Sequence, residues 1–404
     1  MFAIDRAECN AECNPEAARA QLGELERYVA EAARDGSAAD AVERHVFRAV
    51  LALGARLFGW FLELVGPGDP DPAKEGAILV ASEDNKGVPM ARPARGADRP
   101  PAGAHRKKGE KANQKQMACI GCVYTVRPHV RTPAELISAL FRDPPAPREP
   151  GAADAADGGP GDPPAAPQAR QKRYWAELTR EVAGRVVRAQ GQVFRHMAAD
   201  VALRRKPGQV LVHLSDGQRS LETDRLKYLP TDDRTVDVLD LMHVLPRLWE
   251  AAHLFHPEGS DAATAFVRER LPHLLNGCGA DLIADLRRTG AAHRLRGAGA
   301  MRLRKACGFL EANLHRMNYD EYLRAGYPIA TGVIEGACRH LVKDRMERAG
   351  MRWKVPGASA MLQLRAISAS GDWDAFQASR IEQENLRLYP HKAVVEATPW
   401  PIAA

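Results

Sequence analysis

The stretch GAILVASEDNKGVPM, residues 76–90, sets the reading of the fold. Residues 76–82 form an apolar run of the kind buried on both faces of a sheet, and the run delivers Glu83-Asp84-Asn85. VPM at 88–90 reads as a short partner strand, and KQMACIGCVYTV at 115–126 as a second long strand, giving an antiparallel meander. Further along, GQVLVHLSDG at 208–217 and TVDVLDLMHV at 235–244 read as strands that end on or near an acid. Asp84, Asp216 and the acid of the last strand thus all sit at expected strand ends.

Helical patterns lie around these strands. Two helices are expected in 15–66; in the second, Val42, Val46, Val50, Leu53, Leu57, Phe61 and Leu64 recur at spacings of three and four. Residues 171–203 read as one long basic amphipathic helix, 244–256 and 331–349 as helices, and 259–318 as helical and mostly polar. The tail after 371 reads as irregular or weakly helical. The expected organisation is an N-terminal helical region (1–66), a first part of the core (76–142), a linker (143–170), a second part of the core (171–258), a helical insertion (259–326), and a C-terminal helix and tail (327–390). Eight prolines and four glycines fall in 143–169, so the linker is expected to be disordered. Strands first, then strand–helix alternation, predict an α/β fold: a mixed sheet flanked by helices on both faces, in the element order of the ribonuclease-H-like fold.

Bulk composition narrows the class of protein. The chain has 404 residues, 45% of them hydrophobic, enough for a sizeable core. The most apolar run, Val46 to Val65, is interrupted by Arg48, Arg56 and Glu63, so no membrane span is expected. With no secretory signal in residues 1–20, a cytoplasmic, nucleoid-associated location is expected. Seven scattered cysteines do not suggest a disulfide framework. Cys119-x-x-Cys122 looks like half a zinc knuckle, but inside a strand it reads as small residues packed in a sheet.

Three acids on separate elements invite a chemical reading. Asp84 and Asp216 end strands and Glu335 lies on a later helix. Carboxylates converging on one point are what two-metal phosphodiester chemistry requires, because Mg²⁺ takes hard oxygen ligands. Taken singly, an Asp at a strand end is more often a turn or helix-cap residue.

The surroundings of these acids carry a resemblance. SEDNKGVPM (82–90), RKKGEKANQKQMA (106–118), VRTPAELISALFRD (130–143), HLSDGQRSL (213–221), VLDLMHV (238–244), YPIATGVIEGACRHLVKDRMERAGMRW (327–353) and GDWDAFQASRIE (371–382) resemble the transposases of ISKra-type bacterial insertion sequences, relatives of the mutator-like DDE group. The resemblance implies a ribonuclease-H-like core, with the catalytic acids on Asp84, Asp216 and Glu335 holding two Mg²⁺ (or Mn²⁺) ions. It implies metal-dependent DNA strand cleavage and strand transfer. The related group also has an acid or Cys three residues before a His, which Asp240-Leu-Met-His243 matches. His243 would orient the scissile phosphate or brace Asp240; the alternative is a structural His at a strand end.

The same reading makes DNA, meaning transposon ends and target, the partner of a homodimer or higher oligomer. Lys and Arg outnumber acids by eleven to two from Lys86 to Arg131, seven to one from Asp285 to Lys305, and six to two from Arg339 to Lys354. Phosphate contacts are expected from Arg106, Lys107, Lys108, Lys111, Arg339, Lys343 and Arg352. Trp353 would stack on an unpaired base or pack in the core. Three departures set the chain apart from the family. Only GPGDPDPAKEG (66–76) separates the N-terminal helices from the first strand, where family members carry a larger segment; Asn85 replaces the usual Gly; and the linker is longer. They keep two rivals open: a shortened, degenerate copy that at most binds DNA, and a host ribonuclease-H-like nuclease.

Overall fold

A computed structural model describes residues 74–91, 115–143 and 167–389, apart from 183–184 and 349. The expected N-terminal helices, most of the linker, and the basic loop holding Arg106, Lys107, Lys108 and Lys111 lie outside the described residues. The strands are β1 (Ile78–Pro89), β2 (Lys115–Val126), β3 (Arg170–Leu178), β4 (Arg180–Val182), β5 (Arg185–Val187), β6 (Leu211–Ser215) and β7 (Thr235–Leu239). The helices are α1 (Pro133–Phe141), α2 (Ala189–Arg204), α3 (Arg219–Tyr228), α4 (Leu241–Ala252), α5 (Asp261–Leu275), α6 (Gly279–Ala292) and α7 (Gly297–Ala312). After these come α8 (Tyr319–Ala325), α9 (Gly332–Ala337), a π-helical turn (Cys338–Lys343), α10 (Asp344–Met346), α11 (Val355–Ser370) and α12 (Trp373–Leu388). No helix among the described residues is long and apolar enough to cross a membrane.

Five strands form one mixed sheet in the order β3-β2-β1-β6-β7. The β1–β2 and β2–β3 pairs are antiparallel; β1–β6 and β6–β7 are parallel. Alternate residues of β1 enter different cores. Ile78 and Val80 pack with α4, α5, α6, α7 and α9, whereas Leu79 and Ala81 pack with α2. Both faces of the sheet are therefore covered, which accounts for the continuous apolar run in the sequence.

Several sequence expectations are corrected. Residues 78–89 form one strand, not two, because β2 pairs with it without a break from Ile78↔Val126 to Pro89↔Lys115. Asp84 therefore sits in mid-strand, opposite Ile120, and not at a strand end. The long helix expected over 171–203 begins only at Ala189. Residues 170–178 pair with β2 instead, burying Trp175, Ala176 and Leu178, so tertiary pairing overrides a helical charge pattern. The strand expected over 235–244 stops at Leu239, since the Asp240 side chain caps α4 by accepting from the Met242 amide. His243 accordingly lies in the first turn of a helix. The helix expected over 331–349 is present from Gly332 to Met346, with a π turn in its middle, and 373–388 is a regular helix where an irregular or weakly helical tail was expected.

On the α2 side, a charge ladder of buried Glu83 and His213 and half-buried Asp237 spans the three parallel strands. His213 on β6 places Nδ1 2.9 Å from Asp237 Oδ1 on β7, and Nε2 3.0 Å from both carboxylate oxygens of Glu83 on β1. Arg225 from α3 lies 2.7 Å from Asp237. Burial works against a charged imidazole, but Glu83 and Asp237 outweigh it and hold the His213 pKa up at about 9. A folded pKa raised above the ordinary His value of about 6.5 gives stability that is complete below that value and is lost as pH rises towards 9. We expect denaturant midpoints to fall between pH ~6.5 and ~9, and His213→Gln to remove that slope while costing about 3–5 kcal/mol, because Glu83 stays buried without its cation. A second prediction concerns the seat of α2. A Cβ on Gly121 would stand 2.5 Å from Met197 Sδ and from Val193 Cγ1. Gly121→Ala should cost about 1–3 kcal/mol in chemical denaturation; an unchanged midpoint would show that α2 is not seated there.

Candidate metal centre

Strand register aligns the acids. Ser82 pairs with Leu214, and Leu214 with Val238. Two residues further on stand Asp84 within β1 and Asp216 and Asp240 just past the ends of β6 and β7, so the three extend the paired level towards one edge of the strands. The ladder is extended by the Asp240 amide, which donates to Ser215 O at 2.8 Å. Ser82 Oγ donates to Leu214 O at 2.6 Å, tying the level of β1 to that of β6. Because strand residues alternate, these positions point to the opposite face from Glu83 and His213.

The fourth acid arrives on α9, and two tethers position it. Four residues before Glu335, the buried Thr331 hydroxyl donates to Asp240 Oδ2. Three residues after it, the buried Cys338 thiol donates to Asp84 Oδ2 at 3.2 Å. Glu335 lies between these anchors on the same helical turns, exposed, with no hydrogen-bond donor to its carboxylate among the described residues. Burial and the neighbouring Asp84 push the Cys338 thiol up, so it stays protonated and donates. Neither anchor stood out in the sequence. The only signal was that Cys338 shares a helical face with Glu335 at i, i+3.

Among the described residues, Asp240, His243 and Glu335 each place one donor atom within 4.8 Å of the others, a spacing open to a metal ion. Asp240, however, is fully buried, and its oxygens already accept from the Met242 amide (2.8 Å), His243 Nδ1 (2.8 Å) and Thr331. Its geometry is that of a residue that orients others. With Nδ1 engaged, His243 keeps Nε2 for whatever enters the site. Asp84 and Asp216 retain more free acceptor capacity. Asp84 accepts the Asn85 amide at 2.6 Å besides Cys338, and Asp216 accepts the Gln218 amide at 2.8 Å.

Electrostatics link the groups further. Burial raises the Asp216 carboxyl; Asp84 and Asp240 push it higher, while the Gln218 amide and His243 pull it down. The His243 imidazole is raised by its hydrogen bond to Asp240 and by the charges of Asp240, Asp216 and Glu335, against the cost of burial. Charge effects thus link Asp216 to Asp84, Asp240 and His243, and His243 to Glu335, but among the described residues Asp84 and Asp216 lie outside the group whose donor atoms stand within 4.8 Å of one another. The cluster concentrates negative charge on oxygen donors, a set that suits Mg²⁺ or Mn²⁺, and His243 is the one nitrogen donor in it.

The candidate DNA contacts divide. Arg339 and Lys343 are exposed on the π turn just beyond Glu335, with Arg339 3.7 Å from Asp344. Arg352 is exposed and donates to Met351 O at 2.6 Å. Trp353 is partly buried against the core; its Nε1 donates to Met346 O at 3.1 Å, and its backbone pairs with Pro89 and Ala91. That setting holds the C-terminal end of β1. Cys119 and Cys122 pack into opposite cores, so they do not chelate one ion together.

No protein-family model, no curated protein and no solved structure matches the chain. The tight His243–Asp240 pairing generates its own prediction. In metal-free protein, Asp240→Asn should lower the His243 pKa towards the ordinary value, read from its ring-proton shifts by NMR. A titration identical to wild type would mean the two side chains are not coupled.

Proposed function

We propose that the chain is a DNA transposase of the DDE type, cutting and joining DNA strands through divalent metal ions held by Asp84, Asp216 and Glu335. What supports this reading is that Asp84 and Asp216 each lie two residues beyond the paired Ser82 and Leu214, while Thr331 and Cys338, on either side of Glu335, are tethered to Asp240 and Asp84. The sheet order, antiparallel across β3-β2-β1 and parallel across β1-β6-β7, supports a ribonuclease-H-like core. The similarity of the segments around these acids to ISKra-type transposases supplies the choice of reaction.

The residues fit the ions in charge and donor type, with unspent carboxylate oxygens on Asp84, Asp216 and Glu335. When bound, two Mg²⁺ or Mn²⁺ ions supply activation of the attacking oxygen and neutralisation of charge on the phosphate. The protein's own part is positional. Cys338 and the Asn85 amide fix the Asp84 carboxylate, and the Gln218 amide fixes Asp216. His243 Nδ1–H donates to Asp240, and in the imidazolium form, which Asp240 favours, Nε2–H would donate to a non-bridging phosphate oxygen or to the departing 3′-oxygen. Arg339 and Lys343 lie next to Glu335 on the chain, where they meet the backbone of the strand being cut.

The test is strand cleavage and transfer on DNA carrying the element's own ends, with Mg²⁺ or Mn²⁺. Asp84→Ala, Asp216→Ala and Glu335→Ala should each reduce the product by at least about 10³-fold, while His243→Ala should lower the rate by about 10²–10⁴-fold without loss of metal binding. If the wild-type chain binds DNA and never cuts it, the protein is a non-catalytic DNA binder and the enzymatic reading falls.

A further inference from the structure

The α6–α7 hairpin carries a cationic surface that the candidate metal centre does not use. Between Asp285 and Glu311 the sequence has seven Lys and Arg and no acid. Two of the seven are neutralised: Arg287 lies 2.7 Å from Glu311 and Arg288 3.4 Å from Asp285. The other five, Arg294, Arg296, Arg302, Arg304 and Lys305, are all exposed. Among the described residues, none of the five has an acidic partner.

The hairpin presents these charges from a fixed frame. A Cβ on Gly290 of α6 would stand 2.3 Å from Leu303 Cδ2 of α7, so the helices touch closely there. Leu303, Ala306, Cys307 and Leu310 form the buried stripe of α7. Arg302 and Arg304 emerge on either side of that stripe and Lys305 opposite it, by the helical period. Arg294 and Gly297 take left-handed backbone (φ 50° and 57°), which turns the chain sharply between the helices. The first turn of α7, Gly-Ala-Gly-Ala, bears no acid, and its N-cap Arg296 makes no side-chain capping bond. Its bare N–H groups and the helix dipole add to the positive field of the arginines.

We propose that this hairpin is a docking surface for duplex DNA, contacting the phosphate backbone without reading sequence. Charge complementarity selects a polyanion, since ordinary solvated surfaces intersperse both signs. Met301 is the one large apolar side chain exposed on α7, too little for insertion into a membrane. The aromatic residue of α7, Phe309, is half-buried beneath the Arg247 guanidinium at 4.9 Å, and the His293 ring at the end of α6 packs on Phe255 at 4.8 Å, so neither ring stands free as a platform for stacking unpaired bases. Backbone contact with a duplex is the mode that remains. The inference deepens the transposase reading by adding a DNA contact on different elements from the metal centre.

The experiment uses the full chain and fluorescence anisotropy with a short duplex of arbitrary sequence, without divalent metal, across a range of salt. Replacing Arg294, Arg296, Arg302, Arg304 and Lys305 with Gln should lower the slope of log K against log salt by about 3 or more and weaken binding about 100-fold at low salt. Replacing the four arginines with Lys should keep the slope, which excludes misfolding as the cause. Wild-type slope in the Gln variant overturns the proposal. So does loss of binding to phosphatidylglycerol vesicles with DNA binding intact. Asp84→Asn separates the two readings: it should abolish cleavage and leave the slope unchanged. A chain that never cuts DNA, yet loses binding in the Gln variant, keeps the hairpin surface and discards the enzyme.

Discussion

Buried Glu83 and His213, with half-buried Asp237, form a charged ladder across β1, β6 and β7, and much of the site's geometry depends on it. His213 pairs with Asp237 on β7 and with Ala81 on β1, and Glu83 stands two residues beyond Ala81 on the same face. A protonated imidazole between two carboxylates is poorly replaced by any other register, because a shift would leave a charge buried without a partner. With the register fixed on one face of the sheet, alternation dictates the other. The residues that follow, Asp84, Asp216 and Asp240, come to one level on the opposite side.

Gathering acids in this way has an electrostatic cost, and the fold meets it unequally. Asp240 is fully buried and has three donors, so its charge is satisfied within the protein and it works as an orienting group. Asp84 and Asp216 have fewer donors, and Glu335 is exposed in the middle of its helix. The Asp216 carboxyl is raised chiefly by burial, with Asp84 and Asp240 adding to it. Such a cluster favours a cation, and metal and proton compete for the same oxygens.

Opposite charge is placed elsewhere. The helices of the 259–318 region pack on α4, the helix that Asp240 caps and on which His243 sits, and the outer hairpin of that region carries exposed cations. An acidic centre and a basic outer surface are thus built on one packed body. On the proposed reading, the basic surface would hold a polyanion without engaging the acids of the centre.

The sequence alone determined the apolar runs that become β1, β2 and β6, because strands buried on both faces leave a continuous signal. It determined that 259–318 is helical, since amphipathic periodicity is local. It also singled out Asp84, Asp216, Asp240, His243 and Glu335 by their setting and by resemblance. Tertiary structure decided what local pattern does not encode. Residues 170–178 became a strand because β2 offered an edge, and Asp84 fell in mid-strand because β2 pairs along the whole of β1. Asp240 became a cap and an orienting group because Thr331, 91 residues away in sequence, reaches its carboxylate. Cys338 met Asp84 across 254 residues of chain. Pairings at such separation depend on how sheet and helices pack, and no window of sequence carries that information.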